Sequence, residues 1–245
     1  MNWHSRYIQQ AQWTHDLRAY VFNKIGVNGS GRVLEVGCGT GAILSDLPKG
    51  PSLHGIDLDS VRLAECRGHV KSANLVRGNA LNLPYADHSF DVVYCHFLLL
   101  WVSDPLQALL EMKRVTKAGG HVIAFAEPDY SGRIDKPAGL VALGKWQSAS
   151  LLRQGANPSF GAQLAESFFQ AGIKIVEAGT IQGAGGEASI ADWELEWAVI
   201  ESDLAGSVSG EDIQKMKQID KAAREHAERV LYVPTYFVWG QIGEQ

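Results

Sequence analysis

An acid and three closely spaced glycines stand at the end of the first buried apolar run. The stretch from Val33 to Gly41 begins like a central parallel strand and continues with Gly37 and Gly39 before its last glycine. Glycines lack the Cβ atom that would keep a ligand off the backbone, and they tolerate the positive φ of a tight bend. Glu35 adds a carboxylate that would attract an ammonium group and repel a diphosphate. These residues predict a small polar ligand lying against the main chain.

Two classes of ligand use a turn of this kind. The spacing Gly37-x-Gly39-x-x-Ala42 fits a dinucleotide fingerprint, and Asp57 follows about twenty residues later, where an acid binds ribose. Glu35, together with a third glycine at position 41 instead of 42, favours the other class, a ligand that carries an ammonium group. An NAD(P)-linked oxidoreductase is therefore the alternative to the interpretation that follows.

The run from Glu35 to Gly41 resembles the first motif of class I S-adenosylmethionine (SAM)-dependent methyltransferases that act on small molecules. The resemblance implies SAM as cofactor, S-adenosylhomocysteine as product, and Glu35 at the amino group of the methionine moiety. It also implies Asp57 at the ribose hydroxyls, and adenine beside Asn79 and the backbone of Ala80, although Asn79 replaces the usual acid and a plain turn is its alternative role. The expected cofactor residues are Tyr7, Trp13, Glu35, Gly37, Gly39, Gly41, Asp57, Leu58, Asn79, Ala80, Cys95 and His96.

The first segment of the chain is rich in aromatic residues. Residues 3 to 26 follow loose helical spacing, and Gly26 ends them. Tyr7 and Trp13 are candidates for a lid over the sulfonium, because a cation is stabilised by an aromatic face. Packing of these rings on the sheet is the alternative.

Methyl transfer from a sulfonium is an in-line displacement that needs no covalent nucleophile. A base is required only for a hydroxyl, a protonated amine or an acidic carbon. The candidates for that role are His96, Asp129, Tyr130 and His226. A histidine satisfied within the fold is the alternative for His96, and a turn role is the alternative for Asp129 and Tyr130. The sequence leaves O-, N- and C-methylation open.

Short apolar strands alternate with helical segments, which is typical of an α/β fold. The resemblance implies a Rossmann-like, mainly parallel sheet of seven strands in the order 3-2-1-4-5-7-6, with the last strand antiparallel and helices on both faces. A helix is expected at about 41–47 and the sixth strand at 173–182. The carboxyl ends of the parallel strands should bring the ligand-binding residues to one edge of the sheet.

Residues 1–245 are predicted to form a single methyltransferase domain with four parts. These parts are an N-terminal helical lid (1–30), a SAM-binding core (31–182), a helical cap (183–232) and the last strand (233–245). The cap is expected because some fifty residues between the last two strands exceed a hairpin connection. Residues 137–154 are expected to add a helix that the minimal fold does not require.

Composition narrows the function classes. The net charge of −5 gives no field to hold a phosphate backbone, so nucleic acid is not expected as a partner. Cys38, Cys66 and Cys95 are scattered without metal-ligand spacing, which predicts free thiols, no metal and a cytoplasmic protein. No apolar run is long enough to span a membrane. We expect a small-molecule acceptor, a monomer or homodimer and, as a third possibility, a SAM-binding protein without activity.

Overall fold

Buried apolar strands build one large sheet. The computed structural model describes residues 2–27, 29, 31–47, 49–181 and 189–244. The strands are β1 (Arg32–Val36), β2 (Ser52–Asp57), β3 (Asn74–Arg77), β4 (Phe90–Cys95), β5 (Thr116–Pro128), β6 (Ile134–Lys136), β7 (Lys174–Ile181), β8 (Val230–Tyr232) and β9 (Thr235–Gln241). Within these ranges, seven strands form a sheet in the order β3-β2-β1-β4-β5-β9-β7, and β6 pairs with β8 in a separate two-stranded sheet.

The strand order confirms the predicted architecture. Strands β1 to β5 are parallel, and β9 is antiparallel to both β5 and β7. When β6 and β8, which sequence reasoning missed, are left out of the numbering, the order is 3-2-1-4-5-7-6. The register pairs Val36 with Ile56 on one side and with Cys95 on the other, so β1, β2 and β4 end at a common edge.

Helices cover both faces of this sheet. They are α1 (Trp3–Trp13), α2 (His15–Ile25), α3 (Ser60–His69), α4 (Pro105–Val115), α5 (Val141–Arg153), α6 (Leu164–Gln170), α7 (Ile190–Leu204) and α8 (Gly210–Glu225). Val93 points toward a core with α4 and α6, whereas its neighbour Tyr94 points toward a core with α2 and α3. This alternation is the period of a strand buried on both faces.

The prediction of a helix at about 41–47 was wrong. The chain forms only a 3₁₀ turn at Leu44–Asp46, and Leu47 already has extended backbone, with φ −72° and ψ 146°. Leu47 precedes Pro48, and a residue before proline is disfavoured in the α region. The helical segment predicted at 3–26 is present as α1 and α2, with a break at Thr14.

A cap made of two separate chain segments stands beside the sheet. Leu143 of α5 packs with Trp197 of α7 and Ile213 of α8 in a hydrophobic cluster of its own. The predicted cap at 183–232 therefore includes the earlier helix α5 as well, and residues 183–188 lie outside the described part of the chain. Among the described residues, the model contains no helix with the length and apolarity that a bilayer crossing requires.

Candidate cofactor and acceptor site

The glycine bend lies at the carboxyl end of β1 and has the backbone that its sequence predicts. Gly37 and Gly39 have φ values of +76° and +51°. A Cβ atom on Gly37 would lie 2.8 Å from Leu98 Cδ1, and one on Gly39 would lie 3.3 Å from the ring of Tyr7. Both glycines line a crevice of 1280 Å³ at this edge of the sheet. Space above the main chain is therefore kept free by the absence of side chains.

Gly41 does not belong to the crevice, contrary to the prediction. A Cβ atom there would lie 2.6 Å from Cys66 Sγ and 2.9 Å from Val70 Cγ2, so this glycine allows close packing against α3. Its φ of +82° also favours glycine. The third glycine of the motif positions the loop and does not face a ligand.

Glu35 is a buried carboxylate at the wall of the crevice. Its Oε2 accepts a hydrogen bond from the Tyr94 hydroxyl at 3.2 Å. Burial raises the pKa of Glu35 well above its usual value, and the hydrogen bond from Tyr94 opposes that shift. An ammonium group placed beside Glu35 would favour its charged form, which fits the amino group of SAM.

Asp57 lines the same crevice at the end of β2. Its two oxygens accept from the backbone N–H groups of Gly39 at 2.8 Å and of Asp59 at 2.9 Å. Asp59 itself caps α3 by accepting from Val61 N. Leu58, between them, exposes its side chain along the crevice. Asp57 thus joins the glycine bend to the second strand.

Asn79 and Ala80 line the crevice where β3 turns away from the sheet. The Asn79 side-chain oxygen accepts from Leu81 N at 3.0 Å, so the turn role considered for this residue is present. An amide oxygen has a second lone pair, which keeps it able to accept from a ligand.

One face of α1 lies over the crevice. Its lining residues are Trp3, Arg6, Tyr7, Gln10 and Trp13, which recur at helical spacing. Trp13 contacts the ring of Phe97 edge-on at a centroid distance of 6.2 Å. The rings of Tyr7 and Trp13 thus reach the crevice, while Ala11 on the other face is buried in the core.

Cys95 and His96, at the end of β4, were both predicted to bind the cofactor, and the prediction for Cys95 was wrong. The Cys95 side chain is fully buried in the core beside α4 and does not line the crevice. His96 does line it, and its Nε2 lies 3.0 Å from the Thr14 hydroxyl in the break between α1 and α2. Burial, with a smaller contribution from the charge of Arg18, lowers the pKa of His96 to about 3. The imidazole is therefore neutral and ties the lid to the sheet.

Asp129 is also structural, contrary to the expectation that it faces the acceptor. Its Oδ1 accepts from the backbone and side chain of Ser131, so it caps the short turn Tyr130–Gly132. Tyr130 does line the crevice. Glu127, at the end of the same strand, is fully buried and accepts from the backbone N–H groups of residues 98, 99 and 100 at 2.8 to 3.1 Å.

His226 is not part of the site. It lies exposed at the end of α8, where its Nδ1 is 2.7 Å from the carbonyl oxygen of Ala222. It does not line the crevice, and α8 instead packs through Ile213 and Met216 into the hydrophobic cluster of the cap. The prediction of His226 as a base was therefore wrong, because its place in the cap sequence did not indicate which residues of the cap reach the crevice.

Several crevice residues were missed from the sequence. They are Trp3, Arg6, Gln10, Phe97, Leu98, Arg133 and Gln147. The helical spacing of Arg6 and Gln10 relative to Tyr7 could have revealed the face of α1. No local signal marked Arg133 or Gln147, whose places depend on how the cap folds.

Potential metal ligands occur together outside the crevice. His4, Glu65 and His69 have ligand atoms within 4.8 Å of one another. The imidazole rings of His4 and His69 are stacked, with centroids 3.6 Å apart and planes 1° from parallel. Imidazole lone pairs lie in the ring plane, so in this arrangement the two rings do not point at one ion. The expectation of no metal stays a prediction.

Fold and site together define a Rossmann-like protein that binds a cofactor with an ammonium group and a ribose. A family model described as a methyltransferase domain matches residues 34–124. The demethylmenaquinone methyltransferase of Shouchella clausii is 32% identical over 190 residues, which cover 69% of this chain and 79% of that protein. Other relatives with that activity are matched over 48% of their length. The chain belongs to the class I SAM-dependent methyltransferase family.

Solved structures agree with this fold. The crystal structure of a Bacillus halodurans protein aligns with a TM-score of 0.65 at 15% identity, covering 92% of this chain and 98% of that one. A geranyl diphosphate methyltransferase in complex with SAM aligns with a TM-score of 0.59 at 12% identity, covering 95% and 84%. The protein is a SAM-dependent methyltransferase, and the family assignment excludes the oxidoreductase alternative.

Proposed function

We propose that the chain binds SAM along the edge formed by β1, β2 and β3. Glu35 binds the amino group, Asp57 the ribose hydroxyls, and Asn79 with the Ala80 backbone the adenine. Tyr7 and Trp13 cover the sulfonium from the lid. Two features support this arrangement. The buried Glu35 carboxylate can bind an ammonium group, and the side-chain-free backbone at Gly37 and Gly39 lets a ligand approach the main chain closely.

We further propose that the methyl acceptor is a small molecule enclosed between the lid and the cap. One observation carries this: the 1280 Å³ crevice continues from the glycine bend to Gln147 of α5 and Ile200 of α7. A space of this size exceeds what most single ligands need, so it can hold a cofactor and an acceptor together. The cap residues that line it, and not the core, would then select the acceptor.

When bound, SAM supplies an activated methyl group, so the chain has mainly to align the acceptor and exclude water. Placement of this kind can contribute about 7 to 11 kcal/mol to lowering the barrier. His96 has too low a pKa to serve as a base, Asp129 caps a turn, and His226 lies outside the crevice. Of the four candidates, only Tyr130 is left in a position to act on the acceptor.

The relatives named for demethylmenaquinone methylation make a quinol-like ring one acceptor to test. An equilibrium titration with SAM and with NADH tests the cofactor assignment, and binding of NADH alone would contradict it. Turnover should then be measured against a panel of phenols, amines and enolisable carbonyls, with S-adenosylhomocysteine release as the readout. Cofactor binding without turnover of any member would favour a binding protein.

Cellular context is part of the same proposal. We propose a cytoplasmic enzyme that acts as a monomer or homodimer and does not use nucleic acid as acceptor. The three free, buried cysteines and the net charge of −5 support this view. Size-exclusion chromatography with light scattering, in the presence and absence of tRNA, tests the oligomeric state and the partner together.

A further inference from the structure

Hydrogen-bond donors gather at the acceptor end of the crevice. Arg6 of α1, Tyr130 after β5 and Arg133 before β6 all line it. Tyr130 and Arg133 belong to the same turn, where Arg133 N donates to Tyr130 O. The positive charges of Arg133 and Arg6 both act on the pKa of the Tyr130 hydroxyl, opposing the rise that burial causes. Two guanidinium groups therefore lie near one phenol.

Arg6 is a half-buried cation that lacks a carboxylate partner within the described residues. Its guanidinium donates to the Gln9 side chain and lies 5.2 Å from the centre of the Trp13 ring. Burial lowers the pKa of Arg6, and the charges of Glu196, Tyr130, Asp203 and Asp192 oppose that shift. A guanidinium withdrawn from water without an ion pair gains from an anion placed beside it.

Tyr130 and Arg133 both have hydrogen-bond donors that are left for a ligand. The Tyr130 hydroxyl has no hydrogen-bond partner in the described part of the chain, although it borders the crevice. Arg133 is held by Asp135 at 2.7 and 3.2 Å and by Gln147 at 2.7 Å. A guanidinium has five N–H donors, so two of them remain for a ligand.

The acids that face this region are already occupied. Glu196 pairs with Arg224 at 3.5 Å, and Asp192 accepts from Gln9 and Ser189. Asp203 accepts from Gln154 at 3.4 Å, and burial raises its pKa, which favours the neutral form. Side-chain donors without a protein acceptor therefore outnumber free carboxylates at this end of the crevice.

We propose that Arg6, Tyr130 and Arg133 form an oxyanion site, so that the methyl acceptor is an oxygen acid bound as its anion. This inference rests on the proposed function and specifies its substrate class as phenols, enols or carboxylic acids. The acceptor would lose its proton to water on binding. Its lone pair, on the oxygen or the conjugated carbon, would form the new bond to the methyl carbon as the S–C bond pair returns to sulfur. No side chain is then required as a base.

The test uses 4-nitrophenol, whose ionised form is coloured, titrated into protein saturated with S-adenosylhomocysteine. The anion should bind about tenfold more tightly than the neutral phenol, which lowers the pKa of the bound probe by about one unit. Arg6→Gln and Tyr130→Phe should each remove most of that preference, and Arg6→Lys should restore part of it. Arg67→Gln is the matched control, because Arg67 is exposed on α3 and does not line the crevice.

Three results would overturn the inference. They are equal binding of both forms of the probe, tighter binding of 4-nitrobenzylamine than of 4-nitrophenolate, and no binding of either probe to the loaded protein. If S-adenosylhomocysteine itself binds normally in each case, the oxyanion site fails while the methyltransferase assignment stands. With an active acceptor in hand, Arg6→Gln should also move the pH profile of kcat to higher pH, because that profile reports the ionisation of the bound acceptor, which a purely structural role would not change.

Discussion

The two halves of the crevice are built in different ways. The cofactor half consists of short segments at neighbouring strand ends, and its geometry depends on bare backbone at Gly37 and Gly39. The acceptor half brings together α5, α7 and the turn after β5 from distant parts of the chain. Local sequence can specify the first half, whereas the second depends on long-range contacts.

A buried ion-pair network holds the acceptor half together. Asp135 binds Arg133 at 2.7 Å and Arg229 at 2.9 Å, and Arg229 reaches on to Asp220 at 2.5 Å. Asp220 also accepts from the indole N–H groups of Trp193 and Trp197 at 2.6 and 2.9 Å. The network runs from the crevice wall into the cap. Ion pairs therefore fix the geometry of the acceptor half, whereas the glycine spacing fixes the geometry of the cofactor half.

The largest effect is expected for Asp220→Ala. It would remove the acceptor of two indole N–H groups and one of the two carboxylates that bind the buried Arg229, at a cost of about 3 to 5 kcal/mol in the free energy of unfolding. Urea denaturation measures that change. Glu225→Ala, which removes the exposed pair with Lys221 on the same helix, is the control and should stay within about 0.5 kcal/mol. A similar loss in both variants would contradict the role of the network.

Gly39→Val tests the cofactor half directly. The added side chain would meet the Tyr7 ring and occupy the space above the bend, so SAM affinity should fall by at least 100-fold, about 2.7 kcal/mol. Gly26→Val is the matched control, because Gly26 also has positive φ, +73°, but has no atom within 4 Å of a Cβ. Both variants should lose some stability, and only Gly39→Val should lose binding in calorimetric titration.

Asp57→Ala and Asp59→Ala together distinguish the roles of two neighbouring acids. Removing a charged acceptor from the crevice should weaken SAM binding by about 1 to 3 kcal/mol. Asp59→Ala should leave affinity nearly unchanged and lower the unfolding free energy by about 1 kcal/mol, since Asp59 caps α3. Equal SAM affinity in wild type and Asp57→Ala would remove Asp57 from the site.

A pH-dependent effect is expected for Glu127, at the end of β5. Burial raises its pKa to about 7, against the opposing hydrogen bonds from three backbone N–H groups. The native state then holds this proton more tightly than the unfolded chain, whose pKa is about 4.3. The contribution of Glu127 to the free energy of unfolding should therefore be fully present below pH 4 and fall by about 3 kcal/mol as the pH rises to 7. Glu127→Gln should remove that slope, and parallel stability curves for both proteins would refute the assignment.

Much of the cofactor half was predictable because its information is local. The bend after β1 follows from the glycines and an adjoining apolar run, and the place of Asp57 at the crevice follows from its position at the end of β2. The predictions that failed required knowing what packs against a residue. Gly41 meets α3, Cys95 faces the core, Asp129 turns to Ser131, and α8 carries His226 away from the crevice.

The sequence by itself determined the succession of strands and the site of the bend, because strand burial and backbone freedom are properties of short segments. The strand order and the cofactor class were implied by the resemblance of its first motif to a known family. Only the tertiary structure decided that Arg6 and Tyr130 line the same crevice and that Arg133 is joined to Arg229 through Asp135. In each case residues about one hundred positions apart in the chain are brought together. Their pairing depends on how lid and cap fold over the sheet, which no local pattern encodes.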